Sequence, residues 1–239
     1  MMRIADWRDE TGYQALRGCG GAAWAWEFLR RNPDYQREWQ AFMHTWEALE
    51  AAYGRPPDRD FCAWKNDPRA WVRVSDETAG DCRIDQDKVL IECALGARWG
   101  FHKFPPDPRD DDAVVAERLS WRPREQLVAR LVEPGEAGVL DSRREALVCF
   151  DLALPLREQL EEAKRALQLE QRRRSREEGL EMHRIRSLEP KLVRELRLLD
   201  ALAADAGEAV IERLGGQAVL DSAMARRDGG YLDLPLLPV

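Results

Sequence analysis

The stretch from Trp24 to Trp39, WAWEFLRRNPDYQREW, constrains the fold of this chain more than any other. It holds three of the nine tryptophans and sets an Asn32-Pro33 pair between two apolar patterns. The residue before a proline is pushed out of the helical region. A helix over Ala22–Arg31 must therefore stop there, with Trp24, Phe28 and Arg31 spaced by four and three, and Trp26 and Leu29 beside them. Asn32 or Asp34 can then cap a new helix over Tyr35–Ala52. In that helix Trp39, Phe42, Trp46 and Leu49 are spaced by three, four and three, which makes one apolar stripe. The spacing predicts the core of a helical hairpin folded at Asn32-Pro33. Glu27, Arg30 and Arg31 are expected to point away from the stripe and to remain free to act.

Before the hairpin, Trp7–Leu16 reads as a short helix, broken by Gly18, Gly20 and Gly21. After it, Gly54–Asp60 is a loop. Phe61–Val74 is irregular or a short helix, and Thr78–Asp87 is another loop. Lys88–Ala97 is apolar and fits a strand or a helix equally at that length. Pro105–Asp112 (PPDPRDDD) reads as a turn-rich acidic linker and a candidate boundary. Leu119–Trp121, Leu127–Val132 and Ala146–Leu152 are short apolar runs. Pro134, Gly135 and Gly138 separate the last two, so a small antiparallel meander is expected.

From Pro155 the period becomes helical. Leu156, Leu160, Ala163 and Leu167 share a face, Pro155 suits the first helical position, and Gly179 breaks the helix. Lys191–Ala204, Glu208–Leu214 and Gln217–Arg227 are three further helical patterns. Gly207 separates the first two, and a Gly215-Gly216 turn separates the last two. This is the outline of a helix-turn-helix unit, and also of any small helical bundle.

Composition narrows the function. The charged share is 34 % and the net charge −7, so a protein coated uniformly with phosphate-binding cations is excluded, though a local basic patch is not. No apolar run is long enough to span a membrane. The first ten residues lack the apolar segment of a secretory signal. Five cysteines, Cys19, Cys62, Cys82, Cys93 and Cys149, show no CxxC spacing and are expected to be reduced thiols of a cytoplasmic protein. His44, His102 and His183 lie far apart, which argues against a metal site, and no cofactor is expected. Asp110, Asp111 and Asp112 read as a solvated loop. There is no glycine-rich phosphate loop and no nucleophile motif. Cys19 with His44 or His102 is the sole nucleophile–base pairing to weigh, and no spacing favours it, so the chain is not expected to be an enzyme.

Basic residues do cluster. Arg172, Arg173, Arg174 and Arg176 form the densest run, followed by Arg184, Arg186, Lys191 and Arg194. They suit phosphate neutralisation, or else a solvated helix laced with glutamates. On the last helical pattern Arg226 and Arg227 are the cations, while Gln217 and Ser222 could reach base edges or phosphate. Asp221 and Asp228 oppose a polyanion there.

Several segments together resemble one known group. DWRDETGYQALRGCGGAAWAWEFLRRNPDYQREW (residues 6–39) is similar to the N-terminal domain of proteobacterial transcriptional regulators. WGFHKFPPDP and SWRP resemble the segment that follows it. FDLALPLREQLEEAKRALQLEQ, LRLLDALAADAGEAVIERL and DGGYLDL resemble the C-terminal domain of RovC-like activators of type VI secretion and of activators of conjugative-element transfer. The resemblance implies a self-associating cytoplasmic transcriptional regulator whose C-terminal domain binds DNA, with another regulator or RNA polymerase as a further partner. Those relatives carry an arginine-rich stretch on their last helices. Gln217–Asp228 does not, which leaves room for a protein-binding adaptor or anti-activator.

The resulting expectation is an α+β, mostly helical fold. A tryptophan-rich N-terminal module spans 1–104, a small β-rich middle 113–154, and a helical domain with a helix-turn-helix-like unit 155–239. Arg172, Arg173, Arg174, Arg176, Arg184 and Arg186 would supply phosphate contacts, and Gln217, Arg226 and Arg227 would sit near the groove of DNA.

Overall fold

A computed structural model describes residues 6–73, 82–85, 87–102, 104–110, 119–122, 145–180 and 184–238. The fold is mostly helical with one small antiparallel sheet. Two compact units form, residues 1–127 with 184–239, and residues 128–183. The helices after Arg184 therefore share a core with the N-terminal module, from which the sequence reading had set them apart.

The larger unit begins with a 3-10 helix, Glu10–Leu16, capped by the Asp9 carboxylate. Helix α1, Gly21–Leu29, buries Trp24, Trp26, Phe28 and Leu29. Asn32 ends that turn and starts the next helix. Its side-chain oxygen accepts from the backbone N–H groups of Asp34 and Tyr35, at 2.8 and 3.1 Å, and Pro33 takes the first position of α2, Pro33–Tyr53. A proline there forfeits an N–H that would have had no helical partner anyway. The stripe expected on α2 faces inward, with Trp39, Phe42 and Leu49 buried.

A single-turn helix α3, Phe61–Trp64, leads to strand β1, Trp71–Arg73. Strand β2, Arg83–Asp85, and β3, Lys88–Leu90, complete the sheet in the order β1-β3-β2, with Trp71 opposite Leu90. The apolar run from Lys88 is both strand and helix, because α4, Ile91–Arg98, follows β3 directly. The cysteine expectation needs correcting here. Cys82 and Cys93 are joined by a disulfide that ties the residue before β2 to α4, whereas Cys19, Cys62 and Cys149 remain thiols. Sequence spacing missed the pair because the sheet, not a local motif, brings the two positions together.

Two other expectations change. Pro105–Asp110 is no detached linker. Its backbone carbonyls accept from the hairpin: Pro105 from Trp39 Nε1 (3.2 Å), Pro106 from the Tyr35 hydroxyl, and Asp110 from Trp26 Nε1 (3.1 Å) and Arg30 Nη1 (2.8 Å). Of the expected β-rich middle, the described residues are 119–122 and 145–154. Around Leu119–Trp121 there is an isolated bridge, Trp121 to Phe101, and Ala146–Leu152 is irregular. Leu127–Val132 lies outside the described residues.

Helix α5, Leu156–Glu177, belongs to the smaller unit. Gln159 folds its entry loop down, donating to the Asp151 carbonyl and accepting from the Asp151 N–H. Of the expected apolar face Ala163 is buried, while Leu156, Leu160 and Leu167 are exposed.

The larger unit resumes with α6, Ile185–Ala203, then α7, Glu208–Leu214, and α8, Gln217–Arg227. Helix α6 starts earlier than expected and runs through Pro190. Gly215 and Gly216 adopt φ of +135° and +79°, backbone that a side chain would strain, and so make the turn between α7 and α8. A closing 3-10 helix, Gly230–Leu236, lies against α1 so tightly that Gly21 has no room for a Cβ beneath the Leu234 carbonyl. Tyr231 donates from its hydroxyl to the Trp99 carbonyl at 3.1 Å. Among the described residues no helix is long and apolar enough to cross a membrane.

The Gly21 contact gives the first prediction. Gly21→Ala must push the Leu234 backbone away, and should lower stability by about 1–3 kcal/mol. Urea unfolding reads this directly, and an unchanged midpoint would mean that the closing segment does not rest on α1.

Candidate functional site

Two faces of α6 divide its work. Leu192, Leu196 and Leu199 are buried with α1, and Glu195 and Asp200 are buried with them. Such carboxylates are tolerated in a core only when paired. Asp200 accepts from Arg31 Nε and Nη2, at 2.7 and 2.9 Å, and from the Tyr13 hydroxyl at 2.6 Å. Arg31 also pairs with Glu27. Burial and the neighbouring carboxylate push the Tyr13 hydroxyl far above its ordinary range. Arg30 is 2 % exposed and Arg31 lies inside an ion-pair network, so the expectation that both stay free is wrong. A guanidinium at helical spacing from an aromatic stripe looks solvated in sequence. Here its partner lies 169 residues away.

Glu195 makes a second network with α8. It accepts from Arg226 Nε at 2.6 Å and from the Ser222 hydroxyl at 2.8 Å, with Lys191 Nζ at 3.6 Å. Arg226 also lies over the Phe28 ring, 5.6 Å from its centroid. Arg227 pairs with its neighbour Asp228, Asn32 donates to the Arg227 carbonyl and to Asp228, and Gln217 donates to Asp221. Of the polar residues expected to reach DNA from α8, Arg226 and Ser222 bind the buried Glu195, while Arg227 and Gln217 pair with surface carboxylates. The exposed residues of α8 and its cap are Gln217, Ala218, Asp221, Ala225 and Asp228, a face with no cation.

The arginine run on α5 is partly spent as well. Arg173 pairs with Glu170, Glu177 and Glu178, and Arg174 with Glu170 and the Glu145 carbonyl. Hydrogen bonds from Arg173 and Arg174 hold Glu170 down to about 2. Arg172 and Arg176 are exposed and unpaired among the described residues.

Three cations of the larger unit that are unpaired among the described residues, Arg186, Arg194 and Arg213, gather at a groove that α6 helps to form. Arg186, Glu189, Pro190, Val193, Arg194 and Arg197 recur at helical spacing and line a groove of about 560 Å³. Glu10 and Arg17, from the 3-10 helix and the residue after it, close one side, and Arg213, Leu214 and Gly215 close another. Glu10 accepts from Arg17 Nη2 at 3.3 Å and from Arg197 Nη1 at 2.9 Å, and Arg197 also donates to the Trp7 carbonyl at 3.0 Å. Glu189 accepts from the Gly18 N–H at 2.8 Å. Arg186, Arg194 and Arg213 are exposed and make no ion pair or side-chain hydrogen bond among the described residues. Arg184 caps the N-terminus of α6 and is likewise exposed and unpaired. Of the expected phosphate contacts only Arg186 lines this groove. Arg194 had been counted in the basic cluster but not selected, and Arg17, Arg197 and Arg213 were missed, because they converge only once the 3-10 helix packs on α6. Among the described residues no cluster of histidine, cysteine or carboxylate side chains could hold a metal ion.

The larger unit is a helical scaffold whose aromatic N-terminal hairpin is joined to its last helices, with a groove lined by arginines at its surface. Residues 6–62 match the family model described as the proteobacterial transcriptional regulator-like domain, and that match supports a regulatory role. The matched region runs from the start of the larger unit through the hairpin into α3. No curated protein and no solved structure matches the chain.

Two predictions follow from the networks. Arg226→Ala leaves the buried Glu195 carboxylate short of its main partner and should lower stability by roughly 3 kcal/mol. A thermal shift near zero would show that Arg226 is not packed inward. For Glu170, the folded value lies below the unfolded one, so its contribution to α5 is complete above about 4.5 and is lost as pH falls toward about 2. Carboxyl chemical shifts followed by NMR should show Glu170 titrating well below the other exposed glutamates. A midpoint near 4.5 would mean that Arg173 and Arg174 do not hold it.

Proposed function

We propose that this protein is a regulator of transcription that grips DNA through its phosphates at the arginine-lined groove, not through bases read by α8. The observation that carries the proposal is the division of the cations. Arg226 pairs with the buried Glu195 and Arg227 with its neighbour Asp228, whereas Arg186, Arg194 and Arg213 line the groove, exposed and without an ion pair among the described residues. Charge spread this way gives position and salt dependence but little sequence information. Arg172, Arg176 and Arg184 add further phosphate contacts, and the net charge of −7 confines contact to these patches. Sequence preference would then come from the shape of the DNA or from a partner.

One observation favours a second reading, in which the protein acts as an adaptor or anti-activator. The exposed face of α8 is acidic and small-sided, and suits a basic protein surface better than a polyanion. A regulator that self-associates and acts on a secretion or mobile-element transfer locus is compatible with either reading.

The test is a salt titration of the protein on duplex DNA from upstream of its own coding sequence. The wild type should bind with a steep salt slope. The variant Arg186→Ala/Arg194→Ala/Arg213→Ala should reduce that slope by about three, near 0.9 for each lost phosphate contact. Absent DNA binding, or a slope indifferent to the triple substitution, would favour the adaptor reading.

A further inference from the structure

We propose that the same groove is a binding site for a nucleoside diphosphate, which controls access of DNA to its rim. The proposal rests on the assignment of the groove to phosphate oxygens made above, though not on DNA being the ligand.

Three features point past a simple phosphate strip. The first is charge. Arg17 and Arg197 are already neutralised in part by Glu10, so the free positive charge is that of Arg186, Arg194 and Arg213. Three unpaired guanidiniums match a diphosphate carrying about three negative charges at neutral pH. Guanidiniums also present paired donors, which suits vicinal phosphate oxygens.

The second is the presence of carboxylates. Glu10 and Glu189 line the groove among the arginines. Both would repel an extended polyanion lying deep in the groove. Both can accept hydrogen bonds from sugar hydroxyls or from an amino group on a base, which phosphates alone do not offer. Glu10 holds Arg17 and Arg197 in place, and Glu189 is anchored by the Gly18 N–H, so the acceptors are positioned before any ligand arrives.

The third is shape. The groove volume of about 560 Å³ falls within the range of small-molecule sites, roughly 300–1,000 Å³. Val193, Leu214 and the ring of Pro190 give it an apolar wall, against which the face of a base can pack. A nucleotide seated here would neutralise Arg186, Arg194 and Arg213 and remove them from DNA.

The experiment is calorimetric titration of the full chain with ADP, GDP, inorganic pyrophosphate and adenosine, beside the same duplex used above. A nucleoside diphosphate should bind one per chain, at least tenfold more tightly than pyrophosphate and far more tightly than adenosine. Arg194→Ala should weaken it at least tenfold, and Glu189→Gln should erase most of the preference over pyrophosphate without affecting pyrophosphate itself. Saturating nucleotide should release the duplex. Binding of DNA with no heat from either nucleotide at millimolar concentration overturns this proposal and leaves the DNA reading standing. Nucleotide binding without DNA binding overturns the DNA reading and leaves the nucleotide site standing. Equal affinity for pyrophosphate and nucleotide overturns the assignment to a nucleoside.

Discussion

The ion pair between Arg31 and Asp200 is the constraint on which the larger unit depends. Both side chains are buried, and Asp200 could not remain charged in that core without Arg31. The pair fixes the end of α1 against the last turn of α6, and the Tyr13 hydroxyl brings in the opening 3-10 helix. Glu195 and Arg226 repeat the arrangement one turn earlier on α6, and the Asn32 side chain links the hairpin turn to the end of α8. Hydrophobic burial supplies most of the driving force here, as it does in any domain of this size. The charged pairs decide which helices meet and in what register.

That registration explains the outer surface. Helix α6 commits Leu192, Glu195, Leu196 and Leu199 to the core along one face, while Arg186, Glu189, Val193, Arg194 and Arg197 line the groove. The same packing brings Glu10 and Arg17 to one edge and Arg213 to the other. The groove is a consequence of how the core is held. Arg186, Arg194 and Arg213 are left unpaired among the described residues, because the buried carboxylates are satisfied by other arginines.

Much of the hairpin was legible in the sequence. The Asn32-Pro33 hinge, the cap and the Trp39–Leu49 stripe are local, and local spacing carries them. The turn at Gly215-Gly216 was legible for the same reason. What could not be read were pairings across long separations. Arg31 with Asp200, Arg226 with Glu195 and Cys82 with Cys93 have no signature in periodicity. The candidate site suffered most. Composition drew attention to the dense run Arg172–Arg176, yet two of its arginines are held by glutamates on their own helix. The groove draws on scattered arginines, of which Arg17, Arg197 and Arg213 stood in no cluster. The expected helix Lys191–Ala204 begins at Ile185 instead, with Pro190 inside its first turns.

The central claim is that α8 is structural and that the groove makes the contact. Hydrogen–deuterium exchange of the full chain, with and without duplex DNA, tests it most directly. The account predicts new protection along residues 184–197 and 213–216, with 217–228 unchanged. Protection confined to 217–228, with the groove exchanging as in the free protein, would contradict it.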